Sequence, residues 1–218
     1  MISLLIFILA LVVLYLLSRI FIQKLFVVLY RFTRSEKKAS YLLALIFLPG
    51  TFIHEISHFL AALFLLVPVG ELNLVPEYTG NGVRLGSVAI GRTDLIRNST
   101  IGIAPFIVGS AIILGLVSYA ISADHFNPVF ISFVIFVIFQ ITHTMFSSKK
   151  DLHAVVELSV LLIIVISLMF IFNFTQPFIY LAEFVEENQN VIQQFAYYLF
   201  VPIGLEFLLL LLFNKTKI

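Results

Sequence analysis

The chain has 218 residues, of which 61% are hydrophobic and 11% charged, and its mean hydropathy is +1.11. Soluble domains carry about 45–50% apolar and about 25% charged residues, so the excess apolar surface is expected to face lipid. The net charge of +1 excludes a basic field that would recruit nucleic acid. The absence of cysteine excludes disulfides, thiolate catalysis and cysteine-ligated metals.

Apolar stretches divide the chain into predicted membrane spans. A helix needs about 20 apolar residues to cross about 30 Å of hydrocarbon. Six stretches are long enough: 2–30, 41–67, 101–121, 128–146, 154–174 and 194–213. The first of them has no basic region before it and no clear cleavage site after it, which indicates a retained segment and not a signal peptide. The expected fold is an all-α membrane protein of about six transmembrane helices with a small β-hairpin insert.

The polar segments between the spans set the domain organisation. Residues 1–40 are interpreted as an N-terminal transmembrane segment and a basic loop, 41–174 as the core, and 175–218 as an acidic loop and a C-terminal transmembrane helix. Lys and Arg in the loops favour the side that carries both termini and the 68–100 insert. That side is therefore expected to be cytoplasmic.

The insert at 68–100 has a different pattern from the apolar stretches around it. Leu72 and Leu74, and later Val83 and Leu85, follow a period of two on either side of a Gly-Asn-Gly turn signal at 80–82. This alternation predicts a β-hairpin or a small strand pair. An irregular polar loop is the alternative.

The stretch H-E-I-S-H at 54–58 carries the main chemical signal. His54 and His58 are four residues apart, so both imidazoles project from one face of a helix. Two imidazoles one turn apart can chelate one zinc ion, and Glu55 beside them can take a proton from water. Three ionisable residues in one membrane segment are costly without a partner. The alternative is a polar patch satisfied by other helices.

A catalytic zinc ion usually has three protein ligands and an open position for water. Asp151 is the preferred third ligand, since it opens the fifth span at a membrane boundary. Spacing alone leaves an alternative, because Ser148-x-x-Asp151 is also a capping-box pattern. The candidates considered were Asp94, Asp124, Asp151, His125, His143, His153 and some glutamates.

Three segments, in order, resemble the site-2 protease family of intramembrane zinc metalloproteases. G-T-F-I-H-E-I-S-H-F-L-A-A-L resembles that family's metal-binding helix. The 71–92 insert and the following I-G-I-A-P-F-I-V-G-S-A-I resemble its strand segment and next helix. S-K-K-D-L-H-A stands in the place of its aspartate motif, although no Asn-Pro precedes Asp151 and His153 replaces a small residue. The chain is therefore similar to a divergent member.

The resemblance implies a zinc metalloendopeptidase that cleaves membrane proteins or peptides within the bilayer. A prokaryotic plasma membrane is expected, and the count of Lys and Arg in the loops predicts that the active site lies toward the cytoplasm. The resemblance also implies zinc ligation by His54, His58 and Asp151, with Glu55 acting first as base and then as acid. An extended substrate is expected to add to the insert strands, with Leu85 and Val88 as contacts. Iron or cobalt could occupy the same ligands. Neither the physiological substrate nor the oligomeric state follows from the sequence.

His143 shares a helix face with Gln140 and Thr144. It could bind substrate, stabilise the oxyanion, or satisfy a buried hydrogen bond. Two rival functions also stay open: an inactive membrane scaffold that keeps zinc, and, less favoured, a metal-ion transporter.

Overall fold

In a computed structural model, the described residues form eight helices and four short strands. The residues described are 2–73, 77–78, 83–84, 86–122, 127–145 and 149–215, with the side chains of 77–78, 83–84, 149–152, 154–155 and 213–215 excepted. The helices are α1 (Ile2–Thr33), α2 (Glu36–Ile46), α3 (Leu48–Phe64), α4 (Leu95–Ser122), α5 (Pro128–Thr144), α6 (Lys149–Ile171), α7 (Gln176–Glu187) and α8 (Gln189–Lys215). The strands are β1 (Val69–Asn73), β2 (Glu77–Tyr78), β3 (Val83–Arg84) and β4 (Ser87–Ile90).

Helix length and composition make this a helical membrane protein, as expected from the sequence. Within the described ranges, three helices are long and apolar enough to cross a membrane, namely α1, α4 and α8 from Gln189 to Leu212. The number rises to five if α2 with α3, and α6 with α7, each form one bent span. Helix α5 has 17 residues, or about 25 Å of length, which is short of the hydrocarbon thickness. The six predicted spans are therefore not confirmed.

The predicted straight span 41–67 is broken at Phe47, where α2 and α3 meet at 70°. Pro49 has no N–H and cannot continue the hydrogen bonds of α2 into α3. Gln140 of α5 stabilises the break, because its Nε2 donates to the Ile46 carbonyl (2.9 Å) and its Oε1 accepts from the Gly50 N–H (3.3 Å). One side chain thus satisfies two backbone groups that the bend removes from the helical ladder.

Two predicted loops are largely helical. The basic loop of residues 31–38 shrinks to a short link, because α1 continues to Thr33 and α2 starts at Glu36. The acidic loop near Glu183 is the end of α7, which turns by 116° from α6 after Asn173 adopts a positive φ of 54°. The predicted helix ends at these two loops were therefore wrong, because they were placed where polar residues begin. Charged residues are good helix formers outside the hydrocarbon.

The hairpin predicted for the insert is confirmed in the described residues. β1 pairs with β4 and β2 with β3, both antiparallel, so the β2–β3 pair is nested between β1 and β4 in the order of the chain. The Gly80–Gly82 turn lies outside the described residues. The insert is shorter than 68–100, because α4 already begins at Leu95.

Most of the buried apolar core lies between α1, α4, α5 and α8, and a smaller group joins α3 to α4. In that smaller group, Ala62 and Val67 of the α3 end pack on Ile101 of α4. The Val67 N–H also donates to the Ala62 carbonyl (2.9 Å), which closes the end of α3. This packing sets α3 against α4, directly beside the candidate site.

Candidate metal centre

Helix α3 buries its polar and small residues and exposes its apolar ones. Its buried residues recur with the helical period: Gly50, Thr51, His54, Ser57, His58 and Ala62. Phe52, Leu60 and Phe64 are exposed on the outer side. A soluble amphipathic helix has the opposite arrangement. In a lipid environment this pattern turns the chemical groups of α3 toward the protein interior.

The two histidines of this buried face converge. His54 and His58 are 4% and 7% exposed, and their Nε2 atoms lie 3.2 Å apart. Two nitrogens that each stand about 2.0–2.1 Å from one tetrahedral zinc ion lie about 3.3 Å from each other. The separation of the two Nε2 atoms therefore fits a shared metal ion.

A backbone carbonyl orients His58. Its Nδ1 lies 2.8 Å from the carbonyl oxygen of Ile101 on α4. A carbonyl can only accept a hydrogen bond, so Nδ1 carries the hydrogen and the neutral ring keeps its lone pair on Nε2. Metal-binding histidines commonly make this kind of outer hydrogen bond, which fixes both the tautomer and the ring orientation.

The insert lies directly on Glu55. A Cβ atom built on Gly86, the residue before β4, would stand 3.0 Å from Glu55 Cγ and 3.0 Å from Thr51 Cγ2. Such contacts are tighter than ordinary van der Waals packing, so glycine lets the backbone approach the glutamate closely. Thr51 lies one turn before Glu55 and is buried. The strand segment and the H-E-I-S-H helix thus meet at the glutamate.

Two of the alternative third ligands are engaged elsewhere. Asp94 caps α4, where its Oδ1 accepts from the Arg97 N–H (2.9 Å), and it pairs with the Arg97 guanidinium (3.3 Å). The Arg97 N–H lowers the pKa of this exposed carboxyl. His153 is exposed, and its Nδ1 lies 3.2 Å from Oε1 of Glu157 on the same helix. Both side chains are exposed, whereas His54 and His58 are buried.

The preferred third ligand stays a prediction. The Asp151 side chain lies outside the described residues, as do Asp124 and His125. Among the side chains that the structure does describe, no three histidines or carboxylates form a group that could hold a metal ion. The backbone of α6, on which Asp151 sits, packs against α4, and α4 packs against α3. The described residues therefore bring together two of the three predicted ligand side chains, His54 and His58.

His143 lies in a second buried polar site. It is 2% exposed, its Nδ1–H donates to the Phe139 carbonyl (2.7 Å), and its Nε2 lies 3.9 Å from Oε1 of Glu206 on α8. Within the described part of the chain, neither His143 Nε2 nor the Glu206 oxygens have a hydrogen-bond partner. The rings of Phe21, Phe47 and Phe139 surround the imidazole, and their centroids lie 4.5 to 5.3 Å from its centroid.

Sequence reasoning missed several residues that support these sites. Glu206 was the one carboxylate in the apolar stretch 194–213, and the cost of a membrane-embedded carboxylate was the signal that could have found it. Gly86 and the Ile101 carbonyl carried no such signal, because their roles depend on contacts between distant segments. Leu85 lies outside the described residues, whereas Val88 lies in β4 opposite Leu72.

No protein-family model, curated protein or solved structure matches this chain. The function must therefore be argued from the residues and their geometry.

Proposed function

We propose that this protein is a zinc metalloendopeptidase of the site-2 protease type, which cleaves membrane-embedded protein or peptide substrates. The supporting observation is the pair of buried Nε2 atoms 3.2 Å apart, one of them on a ring held by the Ile101 carbonyl. Asp151 completes the ligand set in this proposal. The six-span topology, with the active site toward the cytoplasm of a prokaryotic cell, belongs to the same proposal.

Zinc bound there would supply Lewis acidity that makes a water molecule acidic near neutral pH. Glu55 follows His54 on α3, so its carboxylate takes the proton from the attacking water. It then gives that proton to the amine that leaves when the peptide bond breaks. Gly86 keeps the strand segment close to Glu55 without a side chain that would displace the carboxylate.

The strands supply the substrate-binding surface in this proposal. β1 and β4 form a sheet of two strands in the described residues, so each has one backbone edge turned away from the other. An extended substrate that adds to such an edge satisfies its own backbone groups where water is scarce. Val88 of β4 and Leu85 are the proposed contacts. His143 is the weakest of the predicted substrate contacts, because it is enclosed by three phenylalanine rings and Glu206.

The test combines metal analysis with cleavage of a model transmembrane peptide by the purified protein. Wild type is expected to hold about one zinc ion per chain, and the His54→Ala, His58→Ala double variant to lose it. Glu55→Gln is expected to keep zinc and lose about 10²- to 10⁴-fold in cleavage rate, because an amide cannot accept the proton.

The matched control is Glu36→Gln, which removes an exposed carboxylate from α2 and is expected to change neither quantity. Equal zinc in wild type and the double histidine variant would refute the metal site. Zinc that binds to the two histidines without any cleavage would indicate the scaffold function. Cleavage by Glu55→Gln at the wild-type rate would refute the role of Glu55.

A further inference from the structure

Helix α4 contains a proline four residues after the carbonyl that binds His58. In an uninterrupted α-helix, the carbonyl of Ile101 accepts from the N–H of residue 105. Residue 105 is Pro105, which lies inside α4 and is buried. Proline has no backbone N–H, so the Ile101 carbonyl lacks its ordinary helical donor.

The Nδ1–H of His58 donates to this same carbonyl over 2.8 Å. Ile101 is 2% exposed, so water has little access to the oxygen. A buried carbonyl without a donor costs free energy, and the imidazole of His58 removes that cost. The pairing joins α3 to α4 across 43 positions of the chain.

We propose that Pro105 is a positioning residue for His58: by withholding an N–H from Ile101, it reserves that carbonyl for Nδ1–H and keeps the Nε2 lone pair directed at His54. The inference rests on the proposed function in that His58 is taken as a metal ligand. With alanine at position 105, a backbone N–H competes for the carbonyl. The imidazole then loses part of the bond that fixes its tautomer and orientation.

The chain offers a matched control. Pro202 is also a buried proline inside a long apolar helix, α8, and it lies on an element that carries neither His54 nor His58. Pro→Ala raises helix propensity at both positions. A change confined to the Pro105 variant therefore reports on the Ile101 carbonyl and not on proline removal in general.

The experiment measures Zn²⁺ affinity of the full-length protein in detergent by competition with a chelator, for wild type, Pro105→Ala and Pro202→Ala. Loss of an outer hydrogen bond to a metal-binding histidine typically weakens metal binding by about 10- to 100-fold. We expect that loss in Pro105→Ala and wild-type affinity in Pro202→Ala. Equal Zn²⁺ affinity in Pro105→Ala and wild type would overturn the inference, as would an equal loss in both variants.

A second measurement needs no bound metal, and its wild-type arm needs no variant. In metal-free wild type labelled with ¹⁵N-histidine, the His58 signals are expected to show hydrogen on Nδ1, and in Pro105→Ala a smaller Nδ1–H population. Hydrogen on Nε2 in the wild type would overturn the inference. A wild type that binds no Zn²⁺ but shows the Nδ1–H form of His58 would refute the proposed function and leave the inference standing.

Discussion

The interior holds two histidine sites that differ in what surrounds the imidazole. At the first, His54 and His58 stand one turn apart on α3, and an outside carbonyl holds one ring so that its Nε2 faces the other. At the second, Nε2 of His143 on α5 lies 3.9 Å from the Glu206 carboxyl group. Three phenylalanine rings pack around the imidazole. The first site brings two imidazole nitrogens together, whereas the second brings an imidazole and a carboxyl group together.

This difference indicates different chemistry. Two imidazole nitrogens one turn apart can bind one metal ion when both lone pairs are free, and the outer hydrogen bond of His58 leaves its Nε2 lone pair free. The second site presents one imidazole nitrogen and one carboxyl group, which lie 3.9 Å apart with no hydrogen bond to any described residue, so it offers no pair of convergent nitrogens. The two sites are connected through α5, because Gln140 holds the break at the start of α3 and His143 stacks on Phe47 at that break (5.3 Å).

The largest expected effect concerns the third ligand of the first site. Asp151→Asn should weaken zinc binding by more than about 100-fold, the upper range for outer-sphere changes, since an amide oxygen is a poorer ligand than a carboxylate. Asp94→Asn is the control, because Asn preserves the cap of α4 and should leave the affinity unchanged. Chelator competition measures both. Zinc loss in His143→Ala or His153→Ala, but not in Asp151→Asn, would show that the third ligand is a histidine. Loss in His143→Ala would also contradict the view that only the first site binds metal.

An intermediate effect is expected at the second site, on stability and not on metal. His143→Leu removes the polar group that faces Glu206 at 3.9 Å and should destabilise the protein by about 1–3 kcal/mol, the cost of a buried polar group without a partner. The double variant His143→Leu, Glu206→Leu should recover most of that loss, because a well-packed apolar pair commonly replaces a buried polar pair without cost. Thermal unfolding in detergent measures the difference, and zinc content should equal that of wild type throughout. Additive losses in the double variant would show that the two groups do not interact.

The smallest expected effect is on substrate binding beside the first site. Successive backbone N–H groups of a strand point to opposite edges, so Val88→Pro and Ala89→Pro remove donors from opposite edges of β4. The proline that faces the open edge should slow cleavage by about fivefold, the equivalent of one hydrogen bond of about 1 kcal/mol, with zinc content unchanged. Wild-type cleavage rates in both variants would count against strand addition.

The sequence alone determined the features that depend on neighbouring residues. The four-residue spacing of His54 and His58 places both rings on one helix face whatever the rest of the chain does. The alternation in 71–90 was sufficient to predict paired strands, since period two is a local property. Apolar length likewise identified α1, α4 and α8 as candidate spans. The number of apolar residues did not reveal the break at Phe47, so the prediction of one continuous helix over 41–67 was wrong.

Only the tertiary structure decided which distant groups meet. His143 faces Glu206, His58 reaches the Ile101 carbonyl, and Gly86 lies on Glu55. Each of these contacts joins two elements whose relative position depends on how whole helices pack, and helix packing admits several crossing geometries for the same apolar pattern. Spacing along the chain therefore identifies the residues that can bind a metal, while the packing of α4 and α5 against α3 determines how those residues are held.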